Sequence, residues 1–311
     1  MKALIINSFG GPEVLKQEEL AIPRPGRGEV LVRVHAAGIN PVDYKIRNGS
    51  MKMVLGKKFP KILGFDISGV VEQASKKSRF QPGDKVFAML PFKGGGYAEF
   101  VAVKEENLSH IPEGTTMKEA AATPLAALTA LQAFRKGGNI SEGDRVLVNG
   151  ASGGVGSFAV QIAKAMGAEV TAVCSTRNID FVNSLGADKV IDYSSEDFTR
   201  LKTRFHVIFD AVAKSSFRKC RRILARQGDY ITTVPNKGLL WHKAFNFTRK
   251  KKADFILVQP SGDDLEIIAD MMSRGLVKPY VQQSFLLSEG SAAHEMIETE
   301  RVRGKIVFHL V

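Results

Sequence analysis

The run Val146-Leu-Val-Asn-Gly-Ala-Ser-Gly-Gly-Val-Gly156 places β-branched residues directly before a glycine-rich turn, and an apolar-periodic stretch from Ser157 to Gly167 follows it. Strand, tight turn and helix in that order let a backbone approach a pyrophosphate closely. Unpaired N–H groups at the helix start then face the anion. From Ala151 the spacing is A-x-G-x-x-G, one residue away from the dinucleotide fingerprint G-x-G-x-x-G, and Gly156 stands where helix must pack on strand. Ser152, Gly153, Gly154 and Val155 are therefore the candidate cradle for the pyrophosphate.

The next strand turns this motif into a cofactor choice. After Ala168-Glu-Val-Thr-Ala-Val-Cys174 the chain continues Ser175-Thr-Arg-Asn178, with no Asp or Glu where an NAD enzyme binds the ribose 2′-hydroxyl. Ser175, Thr176 and Arg177 instead offer hydroxyls and a positive charge suited to a 2′-phosphate, so NADPH is expected over NADH. The plainer alternative is a solvated Arg177 at a helix start.

These residues need a scaffold, and the chain is long enough to supply one. Its 311 residues, 44% hydrophobic and 24% charged, suit a soluble enzyme of two domains. Met1-Lys-Ala-Leu-Ile-Ile-Asn7 has neither the long apolar core nor the cleavage site of a signal peptide and reads as a first strand. The apolar stretch from Ala120 to Phe134 is too short and too polar to span a bilayer. Cys174 and Cys220 are the only cysteines, which excludes a disulfide scaffold and a four-cysteine zinc lobe and points to a reducing, cytoplasmic setting. The six histidines are scattered, with no pair at metal-ligand spacing.

The fold class expected is α/β. Residues 1–122 are rich in short strands and turns, with Glu29 to Ala36 alternating as a strand should. A helical run from Lys118 to Phe134 then leads into alternating strands and helices over 123–260, the pattern of a doubly wound parallel sheet. The strands are read at 145–149, 169–174, 189–191, 207–211 and 229–234, with helices beginning near Ser152, Asn178, Ser195 and Ser215. Residues 261–311 hold a helix from Leu265 to Arg274 and a strand-rich tail ending Gly304-Lys-Ile-Val-Phe308, read as a return segment that completes the first domain.

Ala37-Gly-Ile-Asn-Pro-Val-Asp-Tyr-Lys45, Gly64-Phe-Asp-Ile-Ser-Gly-Val70, Gly94-Gly-Gly-Tyr-Ala-Glu99, Thr123-Pro-Leu, the glycine turn and Gly304-Lys-Ile-Val occur in the order of a known family. Over essentially its whole length the chain resembles the zinc-independent quinone oxidoreductases of the medium-chain dehydrogenase/reductase superfamily, in the branch of the chloroplast-envelope quinone oxidoreductase homologues and the enone oxidoreductases. The resemblance implies a GroES-like β-rich catalytic domain, split in sequence, around a six-stranded Rossmann domain. It also implies an active site in the cleft between them, and a homodimer.

In the zinc-dependent relatives the segments matching Gly38-Ile-Asn40 and Gly64-Phe-Asp66 carry a cysteine and a histidine ligand. Asn40 and Phe65 stand there in this chain, and neither holds zinc. Without a Lewis acid the expected chemistry is hydride delivery to an enone or quinone, whose conjugation spreads the developing charge onto an oxygen that donors or water stabilise. By motif position Asn40 is the candidate amide donor to a substrate carbonyl, Tyr44 a possible proton source, and Thr123 the family threonine at the nicotinamide end. Asn40 and Pro41 line the nicotinamide pocket, Tyr193 stands near the 2′-phosphate, and Val234, Pro235, Leu257 and Val258 border the nicotinamide face.

The charge distribution lies outside the resemblance. Residues 200–252 carry 15 Lys and Arg against Asp210 and Asp229 alone, enough to account for the net +12 of the whole chain. A basic face that steers a polyanionic dinucleotide toward its site is the plain reading. The alternative is an NADPH-binding protein that contacts a membrane surface, an RNA or another partner through this segment.

Overall fold

The computed structural model describes residues 1–137, 140–234 and 251–310. Eight strands occupy the first part of the chain: β1 (Lys2–Ile6), β2 (Leu15–Glu19), β3 (Glu29–Ile39), β4 (Lys61–Ile62), β5 (Asp66–Gln73), β6 (Lys85–Met89), β7 (Phe100–Lys104) and β8 (Leu108–His110), with α1 (Pro41–Arg47) and α2 (Lys52–Leu55) after β3. The expected single helical run is two helices, α3 (Met117–Ala121) and α4 (Pro124–Lys136). Pro124 has no N–H to continue α3 and starts α4 instead.

Alternation follows: β9 (Arg145–Asn149), α5 (Gly154–Ala165), β10 (Glu169–Cys174), α6 (Ile179–Ser184), β11 (Lys189–Asp192), β12 (Phe205–Asp210), α7 (Phe217–Cys220), β13 (Leu224–Thr232) and β14 (Lys252–Phe255). The chain ends with α8 (Gly262–Ser273), β15 (Val281–Leu286), α9 (Gly290–Glu298) and β16 (Lys305–His309). Two helices expected from sequence shrink to single turns. The segment after Ser195 forms only a 3-10 turn at Phe198–Arg200, and the one after Ser215 only the four-residue α7, capped by the Ser216 side chain.

Two compact units result. Residues 1–128, 259–273 and 279–311 form the first, and residues 129–258 with 274–278 form the second. In the first unit an antiparallel sheet runs β16–β3–β5–β6–β8, extended by β15 parallel to β16 and by β7 against β3. The C-terminal strand joins it through Ile306 opposite Ile39 and His309 opposite Ala36. A core of alternating residues, among them Val30, Val32, Val34, Ile67, Val86 and Phe308, sits under this sheet.

In the second unit six strands run parallel in the order β11–β10–β9–β12–β13–β14. Buried Val146, Leu147, Val148, Val170, Ala172, Ile208 and Phe209 give the continuous apolar strands that a sheet covered on both faces requires. The strand order reverses between β10 and β12, on either side of β9. The carboxyl end of that switch point is where open α/β sheets bind ligands.

Candidate functional site

The second unit places the glycine turn at that switch point. Gly150, at φ +83°, leaves β9 in a conformation that L side chains rarely adopt, and its amide and that of Ala151 donate to the Val173 carbonyl of β10. A Cβ on Gly156 would lie 2.1 Å from the Gly150 carbonyl oxygen, so the helix packs this closely only because that position is glycine. Ser152, Gly153, Gly154 and Val155 are half-exposed above a buried floor. The N–H groups of Gly154 and Val155, the first two of α5, meet no acceptor among the described residues. Free donors, a positive helix end and a turn without side chains fit a dinucleotide pyrophosphate.

The same edge carries exposed apolar side chains. Tyr193 follows β11, Val212 lies beyond β12, Val234 beyond β13 and Leu257 beyond β14, all solvent-exposed, while the strands beneath them are buried. Val212 packs over Gly150, and Val258 is half-buried beside Leu257. Pro235, expected with Val234, and Trp241 lie outside the described residues. Below the row, buried Asp210 at the end of β12 accepts from Asn149 Nδ2 at 2.8 Å, the Tyr230 hydroxyl at 2.8 Å and the Ser215 amide at 2.8 Å. It fixes the ends of three strands and the loop after β12. Sequence reading counted it only as a charge.

At the end of β10, Arg177 is exposed and Ser175 is half-exposed. Asn178, buried there, donates to Ser152 Oγ at 2.9 Å and to Ser175 Oγ at 3.2 Å, tying the glycine turn to the strand that would read the ribose. The hydroxyl of Thr176 is turned toward Asp192 at the end of β11, which also accepts from the Ser194 amide and hydroxyl at 2.9 and 2.6 Å. Those donors, Ser194 first and Thr176 next, hold the Asp192 carboxyl below the usual range. The Thr176 hydroxyl, expected at the 2′-phosphate, donates to this carboxylate in the structure.

The first unit gathers a buried polar network around Asn40. Asn40 Nδ2 donates to Asp66 Oδ2 at 2.9 Å, while Asn40 Oδ1 accepts from the Lys305 ammonium, which also reaches Asp66 Oδ2 at 3.3 Å. Asp66 Oδ1 takes the Leu125 amide at 2.7 Å, at the start of α4. Asn40, Asp66 and Lys305 are all at most 4% exposed. Burial pushes the Asp66 carboxyl up, opposed by Lys305, Asn40 and Leu125. The Asn40 oxygen and one of its two amide hydrogens are thus engaged inside the network, which fixes the side chain and leaves the second amide hydrogen for the expected donor role. The signal for Lys305 was in the sequence as Gly304-Lys-Ile-Val, but its partners lie more than two hundred residues away.

Asp43 extends the network on α1. Its carboxylate takes the Asn40 backbone N–H at 2.8 Å and the Gly64 backbone N–H at 3.0 Å, and burial pushes its pKa up to about 7 against these donors. The Tyr97 hydroxyl lies near Asp43 but meets no partner in hydrogen-bond geometry among the described residues, and neither ring nitrogen of buried His294 does. The rings of Tyr97 and His294 meet edge-on with centroids 6.0 Å apart. Of the other expected residues, Thr123 is fully buried and donates its hydroxyl to the Glu119 carbonyl at 2.8 Å, Tyr44 is half-buried against the core, and Pro41 is exposed at the start of α1.

Beside this network lies an open hollow of about 560 Å³. Ile46, Leu63 and Phe65 line it together with exposed Phe92, whose ring meets that of Phe65 at 74° with centroids 6.3 Å apart. Lys58 and Lys93 add positive charge to this apolar lining. Phe65 is thus a wall of the hollow. Among the described residues no three His, Cys, Asp or Glu side chains gather in a geometry that could hold a metal ion.

Two family models match the chain: the alcohol dehydrogenase GroES-like domain over residues 26–113 and the zinc-binding dehydrogenase domain over residues 185–308. The chloroplast envelope quinone oxidoreductase homolog of Arabidopsis thaliana is 36% identical over 322 aligned positions, covering 99% of this chain and 98% of that protein. The human mitochondrial NAD(P)H oxidoreductase RTN4IP1 is 36% identical, covering 100% of this chain and 89% of that one. Among solved structures, the quinone oxidoreductase from Coxiella burnetii superposes with a TM-score of 0.90 at 32% identity, covering 100% of this chain and 99% of that one.

Proposed function

The chain belongs to the quinone oxidoreductase branch of the medium-chain dehydrogenase/reductase superfamily, oxidoreductases that use NAD(P)H, and from that premise we propose that it is an NADPH-dependent reductase of quinones or α,β-unsaturated carbonyls that works without zinc. The observation that carries the reading is the carboxyl edge of the parallel sheet, where free amides at the start of α5 and the apolar row from Tyr193 to Leu257 face solvent together. Bound there, NADPH would supply the hydride. The chain's own residues do the rest. The α5 amides hold the pyrophosphate, Asn178 keeps Ser152 and Ser175 in register, and Arg177 answers the 2′-phosphate.

Zinc independence rests on the donor set. A phenyl ring stands at one position where zinc relatives carry a ligand. At the other, the Asn40 oxygen already accepts from an ammonium whose charge repels a second cation. The hollow at Phe65 and Phe92 suits a flat conjugated acceptor, and its lysines favour the negative charge that such an acceptor gains on reduction. Two experiments test the reading. NADPH consumption is followed with a panel of quinones and enones beside saturated ketones, and only the conjugated acceptors are expected to turn over. In binding titrations, Arg177→Leu should weaken NADPH by about 1.5–3 kcal/mol and leave NADH nearly unchanged. Equal weakening of both cofactors would remove Arg177 from the 2′-phosphate site.

A further inference from the structure

The cations of the 200–252 segment do not all serve the cofactor edge. All six strands of the second unit run parallel, so their first residues share one edge of the sheet, opposite the glycine turn. Arg145 opens β9, Arg204 immediately precedes β12, Arg221 and Arg222 precede β13, and Lys251 and Lys252 lead into β14. The Ile223 carbonyl takes the Phe205 amide at 2.8 Å, which confirms that the start of β13 lies level with that of β12. The basic residues therefore mark the amino edge over β9, β12, β13 and β14, away from the dinucleotide cradle.

Backbone carbonyls hold four of these cations. Arg145 Nε donates to the Arg204 carbonyl at 2.7 Å, Arg204 Nη1 to that of Lys202 at 2.7 Å, Arg222 Nε to that of Thr199 at 2.5 Å, and Lys251 Nζ to that of Arg221 at 2.8 Å. A carbonyl fixes a cation without neutralising it. Burial, then the charges of Arg204 and Arg221, hold the Lys251 amine below its ordinary range, as expected where like charges converge. Acids on this side gather over β9 to β11, where Glu169 stands opposite Arg145, Glu142 precedes β9 with Asp144 paired to His206 at 3.1 Å, and Asp188 before β11 is paired with Lys164; toward β12 to β14, Asp229 faces Lys252 and Asp197 faces Arg200 and Arg222. The exposed large apolar side chains Tyr193, Val212, Val234 and Leu257 follow the strand ends at the opposite edge.

We propose that this amino edge is a second anion-binding surface, and that its occupant is the phosphodiester backbone of a nucleic acid, bound by charge and without sequence preference. Neighbouring strands about 4.8 Å apart set Arg145, Arg204 and Lys252 along one edge, where they can meet several phosphates of one backbone together. Guanidinium forks match phosphate oxygens, and counterion release supplies the affinity. A bilayer surface is the poorer fit to the described residues, because interfacial binding draws on apolar side chains buried among lipids and the described part of this edge presents cations instead. The test uses the full chain with a labelled nucleic-acid duplex and, separately, vesicles rich in anionic lipid. A triple variant, Arg204→Gln, Arg221→Gln and Lys251→Gln, is compared with a control that loses the same charge elsewhere, Lys16→Gln, Lys76→Gln and Lys77→Gln. The expected result is duplex binding that falls about tenfold or more in the first triple but not in the second. The slope of log affinity against log salt should shrink by about 3, and NADPH should not compete. No duplex binding, equal loss in both triples, displacement by NADPH, or binding to vesicles alone would each overturn the assignment.

Discussion

Lys305 shows what one residue can settle. Its ammonium sits between Asn40 and Asp66, and removing it strands a buried carboxylate with only the Asn40 and Leu125 donors. Lys305→Met should therefore cost about 3–5 kcal/mol of stability, while Lys305→Met combined with Asp66→Asn recovers most of it, because the pair is far worse broken than removed. Urea unfolding of the three proteins measures this, and equal midpoints for wild type and single variant would show that the network carries no charge pair. His294 offers a test in pH. Burial, then the Arg47 charge, push its pKa down to about 3 from an ordinary 6.5, so between those values the unfolded chain binds a proton that the folded chain refuses. Stability from this group is complete above about pH 6.5 and is lost as pH falls toward 3. Asp43 acts with the opposite sign between about pH 4 and 7, so the informative quantity is the difference between wild type and His294→Phe. That difference should change by up to about 1.4 kcal/mol per pH unit across the window, and a constant difference would mean that the ring is already charged in the folded state.

At the scale of elements, the strand–turn–helix at 145–165 was legible because glycine spacing, β-branched residues and apolar periodicity all point one way. Gly156→Ala should cost about 1–3 kcal/mol through overpacking against Gly150, and cofactor affinity should fall with it as α5 is pushed off β9. Unchanged thermal unfolding and NADPH affinity would mean that the turn relaxes freely. The short elements were less legible. Ser195 and Ser215 look like helix caps, yet the 12 residues between β11 and β12 and the 13 between β12 and β13 hold only one short helical turn each. The partners of Asn40 were hidden for a related reason. Motif position marks it as a candidate donor and Pro41 marks a turn, whereas its partners come from β5 and β16, elements that only the folded sheet brings beside it. Thr176 faces Asp192 for the same reason, since β10 and β11 are adjacent only in the parallel sheet.

At the scale of the whole molecule, a strongly basic chain becomes a polarised one. The carboxyl edge of the parallel sheet carries free amides and exposed apolar side chains, and the amino edge carries the arginines. Sequence reading gave the excess charge correctly and assigned it by default to cofactor steering, because strand direction is invisible in a count of residues. The first unit adds a hollow walled by Phe65 and a network in which an ammonium stands beside a position that relatives give to zinc. Together these edges and the hollow support the proposed reduction of a conjugated acceptor with no metal to polarise its carbonyl. The most direct test is the position of the label after single turnover of an acyclic enone with NADPH deuterated at the transferred position, run on chelator-treated protein. Deuterium on the β-carbon with the carbonyl intact is the predicted product. Deuterium on the carbonyl carbon of an allylic alcohol, or turnover that stops with chelation and returns with zinc, would contradict it.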